Sequence, residues 1–337
     1  MAIRVVSLPD FFGAPGPILD VRAPIEFADG HMPGAVSFPL FSDDERARVG
    51  TTYKQVNPDK AVLLGLDFFG PKMSDLVRAA RKLAPGGVVR VHCWRGGMRS
   101  GAVAWLLDLA GLEVYQLSGG YKEYRRWAAA EVSEPRALRV LGGMTGSGKT
   151  AVLHALARLG VPVLDLEALA QHKGSAFGAI GQPLQPSQEQ FENNLAQALT
   201  ALTGQTIWVE DESRSVGAVS IPTAFFEQLR AAPLAVLDVP RPARVKRLAA
   251  EYGSQDAHKL ALAVLRIGKR LGGLATKQAL GAIVEDDMAR MVELVLEYYD
   301  KTYEYGLVKR TAQIVRVPTD TPDATANAER VLRALPD

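Results

Sequence analysis

The chain has 337 residues, 47% of them hydrophobic and 23% charged, and a net charge of +2. This composition excludes a disordered or collagen-like chain, and the length suits two domains of ordinary size. A single cysteine, Cys93, excludes an intrachain disulfide and fits a reducing compartment. The longest apolar run, Ala102 to Leu112, carries Asp108 and falls short of the ~20 residues of a membrane helix. The first residues, MAIRVVSLPDFFGAPG, lack a secretory signal. A cytoplasmic protein without a membrane partner is expected.

In chain order, apolar strands are expected at Pro17–Val21, Ala35–Phe38, Val88–His92 and Glu113–Leu117, with helices at Ser74–Leu83 and Arg99–Leu109. Strands separated by helices imply a parallel sheet. The polar segment Glu131–Arg136 reads as a linker. A second series follows: strand ALRVLGG, helix Thr150–Arg158, strand VPVLDLE, helix Ser187–Leu202, and strands TIWVEDE and PLAVLDV. Beyond Val239 the pattern turns helical, with an apolar stripe at Met288, Met291, Val292, Val295 and Tyr299, and RTAQIVRVPTD is a final strand. The fold class expected is α/β twice over. An N-terminal parallel domain spans 1–132. A P-loop domain spans 137–337, with a helical, basic region at about 241–305.

Strand VVRVH runs into HCWRGGMRS. Cys93 therefore sits at a strand's carboxyl end, before a helix. Two glycines let the backbone curl its N–H groups inward, and the helix adds the positive end of its dipole. Arg95 and Arg99 add charge. These features favour thiolate over thiol and make a seat for an oxyanion beside the sulfur. Cys93, Arg95 and Arg99 are the candidate catalytic group.

Gly143-Met144-Thr145-Gly146-Ser147-Gly148-Lys149-Thr150 is a complete G-x-x-x-x-G-K-T between a strand and a helix. Backbone N–H groups around Gly143, Gly146, Ser147 and Gly148 would wrap a diphosphate, Lys149 would reach its outer oxygens, and the Thr150 hydroxyl is placed for Mg²⁺. Asp165, and Glu210 or Asp211, end neighbouring strands and could hold metal-bound water or substrate. The motif reads phosphates and does not choose between ATP and another diphosphate. From Arg241 to Lys277, nine basic residues face two acidic ones, a local charge of +7. This suits a polyanion. The segment VPRPARVKRL also looks like one that closes arginines over phosphates in nucleotide kinases.

The upstream string LDVRAPIEFADGHMPGAVSFPL, together with the cysteine loop, resembles a rhodanese domain. In that family Asp20 and His31 organise the fold, so neither is assigned a catalytic role. Cys93 to Arg99 is C-x5-R, one residue longer than the usual sulfurtransferase loop and the length of rhodanese-fold phosphatases. None of Trp94, Gly96, Gly97 and Met98 can protonate a leaving oxygen. With GGMTGSGKT, DLEALAQHKGSAFG, QPSQEQFEN, ESRSVG and RIGKRLGG, nearly the whole chain resembles the tRNA 2-selenouridine synthase family.

That resemblance implies an enzyme acting on 2-thiouridine at the wobble position of tRNA. It implies geranylation of the sulfur by geranyl diphosphate, then replacement by selenium from selenophosphate, with an enzyme supplying that selenophosphate as a partner. Cys93 would carry a perselenide or hold selenophosphate for attack. Arg241, Arg244, Arg247, Arg266, Lys269 and Arg270 are the candidate tRNA contacts. Two alternatives stay open: a P-loop kinase with a regulatory rhodanese domain, and a sulfurtransferase that thiolates RNA.

Overall fold

A computed structural model describes residues 3–319 and 321–336. The chain divides into two compact units, 1–130 and 131–337.

The first unit has strands β1 (Arg4–Val6), β2 (Ile18–Asp20), β3 (Ala35–Ser37), β4 (Val88–His92) and β5 (Glu113–Leu117). They form one sheet in the order β1-β5-β4-β2-β3, with every pairing parallel. From β4 the chain runs to β5 on one side, while β2 and β3, which precede it, lie on the other. The carboxyl end of β4 is therefore a switch point, where open α/β sheets place ligands. Leu19, Val89, Val91, Val103, Leu107 and Val114 fill the core between sheet and helices. Helices Asp43–Gln55 and Pro58–Phe69 were not expected from the pattern. The first buries none of its residues, so it carries no apolar stripe to read.

The second unit adds β6 (Leu138–Gly143), β7 (Val163–Leu164), β8 (Ile207–Glu210), a small hairpin of β9 (Ser215–Val216) and β10 (Val219–Ser220), then β11 (Leu234–Asp238) and β12 (Ile314–Pro318). The main sheet is parallel, in the order β12-β11-β6-β8-β7, so β6 is central and its carboxyl end is again a switch point. Helices Lys149–Arg158 and Ala324–Ala334 share a core with the sheet, built on Leu141, Leu153, Trp208 and Val331. A separate helical core joins Arg241–Tyr252, Ala257–Leu271, Gly273–Val284 and Met288–Val308. In Ala257–Leu271 the spacing of Leu260, Ala263, Val264 and Ile267 turns one stripe inward, and Asp256 caps the amides of His258 and Lys259.

The expected linker differs. Glu131–Ser133 continue helix Gly120–Ser133, which ends before the residue preceding Pro135. Arg136 is anchored, its amide donating to Gln228 at 2.9 Å. The strand expected over VPVLDLE is only two residues long, because Asp165 caps a short helix, Leu166–Ala170.

Candidate functional site

Cys93 is buried at the carboxyl end of β4. Its Sγ lies 3.2 Å from the Ser100 hydroxyl, whose one hydrogen is shared between the sulfur and the Gly97 carbonyl at 3.1 Å, and whose oxygen accepts from Gln116 Nε2 at 3.1 Å. Gln116 clamps the loop a second time, at the Gly96 carbonyl. Burial pushes the Cys93 thiol up. The Ser100 hydroxyl, the amides of Ser100 and Arg95, and the Arg99 charge outweigh it, and the net shift is down. The loop rests on Gly120, whose φ is +60°. A Cβ there would lie 2.4 Å from the Cys93 carbonyl oxygen.

Arg95 is exposed, and its amide is aimed at the sulfur. Arg99 is already engaged: its guanidinium grips Glu26 through contacts of 2.6 and 3.3 Å. It thus sits at the rim, held by a carboxylate, rather than free in the loop. Asp20 ends β2 in a buried ion pair with Arg22, whose guanidinium also stacks over Tyr121. His31 stacks on Phe27.

In the second unit the loop from Gly143 leads into helix Lys149–Arg158. The Lys149 ammonium donates to the Gly143 carbonyl at 3.0 Å. Ser147 is buried with its hydroxyl unpartnered. The loop is braced from helix Met288–Val308 at two points. The Gly143 amide donates to the Tyr303 hydroxyl at 2.7 Å. Asp300 accepts the Arg244 fork at 2.8 and 2.9 Å, and Arg244 also donates to the Thr145 carbonyl.

The Thr150 hydroxyl donates to Glu167 at 2.9 Å, and the Glu167 amide donates to Glu210 at 2.7 Å. Glu210 is buried, its second carboxylate oxygen has no partner, and burial with Asp165 and Glu212 nearby raises its pKa. Glu212 is pushed up by burial and Glu167, while Lys149 pulls the other way. Among the described residues no group of three or more His, Cys, Asp or Glu side chains is arranged to hold a metal alone. Thr150, Glu167 and the orphan oxygen of Glu210 do fit a hard cation shared with phosphate oxygens.

Four expectations need correction. Asp211 is taken up by structural partners, accepting from Arg310 at 2.7 Å and Tyr303 at 3.3 Å. Successive strand residues face opposite sides, so Glu210 takes the site and its neighbour does not. Asp165 is spent on capping Ala168 and holding His154, both at 2.7 Å. Arg244 is buried against Asp300 and is no surface contact for RNA. Arg247 lies on the cradle: a Cβ on Gly148 would sit 1.6 Å from its Nη1. Arg241 reaches the Glu293 carbonyl, Arg270 meets Tyr298 at 3.1 Å, and Lys269 is exposed. Glu167 and Glu212 were missed, although both stand in strings that carried the family resemblance.

A family model for a rhodanese-like domain matches residues 7–126. A second, for the tRNA 2-selenouridine synthase AAA domain, matches residues 136–328. The chain is 36% identical to the tRNA 2-selenouridine synthase of Bdellovibrio bacteriovorus, across 93% of this chain and 94% of that one. The chain belongs to the tRNA 2-selenouridine synthase family. The family members of Bordetella bronchiseptica and Salmonella typhi are each 37% identical over 89% of this chain, covering 90% and 91% of their own lengths. The match embraces both the cysteine loop and the phosphate cradle. No described helix is long and apolar enough to cross a membrane.

Proposed function

We propose that the chain is a tRNA 2-selenouridine synthase that works in two steps on 2-thiouridine at the wobble position. In the first, the sulfur attacks geranyl diphosphate and diphosphate leaves. In the second, the selenium of selenophosphate attacks carbon 2, geranyl thiol leaves, and water cleaves the selenium–phosphorus bond to release phosphate. The observation that carries this reading is a pair of anion seats of different chemistry in one chain of this family. One holds a thiol with a lowered pKa; the other is a complete diphosphate cradle.

Sulfur bound to carbon 2 is a poor leaving group, and alkylation makes it a better one. The cradle serves the first step. Lys149 would move from the Gly143 carbonyl to the leaving diphosphate, and Arg247 is poised over Gly148 to join it. Mg²⁺, held by Thr150 and Glu167 with diphosphate oxygens, would neutralise leaving-group charge. Selenophosphate is a tetrahedral anion that suits the amides around Cys93, and this loop would hold it for attack on carbon 2. An enzyme supplying selenophosphate is the implied partner. Mass spectrometry of tRNA nucleosides, after incubation with geranyl diphosphate and then selenophosphate, tests the reading. The expected products are S-geranyl-2-thiouridine, then 2-selenouridine. ATP turnover without tRNA, or thiolation of unmodified tRNA, would point to a kinase or a sulfurtransferase instead.

A further inference from the structure

Four strings that support the family resemblance have no part in the cysteine loop or the phosphate-binding amides. They converge in space. DLEALAQHKGSAFG contributes His172 and Ser175, QPSQEQFEN contributes Gln185, ESRSVG contributes Ser215 and Gly217, and RIGKRLGG contributes Arg266 to one open pocket of about 560 Å³. This volume is ordinary for a small-ligand site. Its lining is polar or small, and the only aliphatic side chains are alanines.

The pocket is built rather than incidental. Gln185 ties its walls together, donating to the Ala170 and Val216 carbonyls and accepting from the Ala218 amide, at 2.8–3.0 Å. The His172 ring fits between Gly178 and Gly217, where a Cβ would lie 2.7 and 2.6 Å from ring carbons. His172 is only 6% exposed, and its Nδ1 is buried with no partner. Burial, and then the Arg266 charge, lower its pKa. The pocket also abuts the cradle. A Cβ on Gly174, in the pocket wall, would lie 2.5 Å from the Glu212 carboxylate, and Glu212 interacts with Glu167 and Lys149.

We propose that this pocket receives the flipped 2-thiouracil base and that the His172 imidazole takes the N3 proton as the sulfur is alkylated. The inference rests on the geranyl transfer proposed above. S-alkylation of a thiouracil leaves a neutral product only if N3–H is lost. The sulfur–carbon bond forms, the carbon–oxygen bond to diphosphate breaks, and the electron pair of the N3–H bond becomes the second bond of C2=N3. The proton goes to His172 and the diphosphate to the cradle. A ring that lines the pocket with an unpartnered nitrogen suits this transfer. Arg266 would meet the flanking phosphate or the base face. A prenyl chain would instead need an aliphatic wall, which the lining does not offer.

Full-length protein and an anticodon stem-loop carrying wobble 2-thiouridine provide the test. His172→Gln should lower the geranylation rate at saturating substrate by about 10²-fold and leave the KM for geranyl diphosphate unchanged. Ala218→Trp, in the exposed hairpin turn, should fill the pocket. It should raise the stem-loop KM about tenfold, abolish binding of free 2-thiouridine nucleoside, and spare geranyl diphosphate binding. A wild-type rate in His172→Gln would overturn the base assignment. A raised KM for geranyl diphosphate alone in Ala218→Trp would give the pocket to the prenyl chain and overturn the proposal. Nucleoside binding is measured without geranyl diphosphate. Loss of that binding in Ala218→Trp, with a wild type that makes no geranylated product, would therefore sink the functional reading while leaving the base pocket standing.

Discussion

At the scale of the residue, Cys93 shows how a buried thiol is tuned by neighbours rather than by burial. Burial alone would raise its pKa, and the Ser100 hydroxyl leads the groups that reverse this. The thiolate therefore forms at lower pH than in a free cysteine. Ser100→Ala removes the hydroxyl donor to a charged acceptor, a loss of about 1.5–3 kcal/mol. The midpoint should move up by about one to two pH units. Cys93 is the only cysteine, so no other thiolate contributes to the ultraviolet change that reads it; an unmoved midpoint would mean that the loop amides suffice. Cys93→Ser should abolish selenium incorporation and leave geranylation intact, as nucleoside mass spectrometry would show. Lys149→Ala should slow geranylation of thiolated tRNA, and with it selenation, by about 10²–10³. It should spare selenation of tRNA that already carries the geranyl group.

Among the elements, helix Met288–Val308 reaches furthest in consequence. Asp300 and Tyr303, one turn apart, hold Arg244 and the Gly143 amide and so brace the phosphate loop from outside. Asp300→Asn would leave the Arg244 charge buried and half-paired, at a cost of about 3 kcal/mol. Its melting temperature should fall, and the KM for geranyl diphosphate should rise at temperatures where it remains folded. An unchanged KM would make this brace purely structural. The glycine loops were legible because each is local: strand, loop and helix follow one another in sequence, and the chemistry stays within eight residues. The carboxylates were not. Glu210, Asp211 and Glu212 alternate across a strand end, and only the placement of the sheet decides which side meets the phosphates. Arg244 and Arg247 stand three apart on one helix, yet one is buried beneath the loop and the other lies over it. Helix phase relative to a core is set by tertiary packing, which local pattern does not contain. The His172 pocket was further still from view, since it gathers four segments that are distant in sequence.

For the molecule as a whole, the two parallel sheets follow from alternating strands and helices, and each places a loop at its own switch point. The charge of the helical region is divided among different tasks. Arg244 and Arg247 serve the phosphate loop, and Arg266 faces the pocket. Lys246, Lys259, Lys269 and Arg270 remain exposed on the same helices, and Lys277 on the next. A surface of this kind suits RNA phosphates, where affinity comes from counterion release and grows with each phosphate neutralised. Lys269→Glu combined with Arg270→Glu should therefore weaken tRNA binding and leave geranyl diphosphate binding unchanged. Each phosphate that is no longer neutralised should flatten the slope of log affinity against log salt by about 0.7–0.9. The slope is the decisive measurement, because a folding defect would lower the active fraction without changing it. Equal affinity and an equal slope in the double variant would move the RNA interface away from this helix.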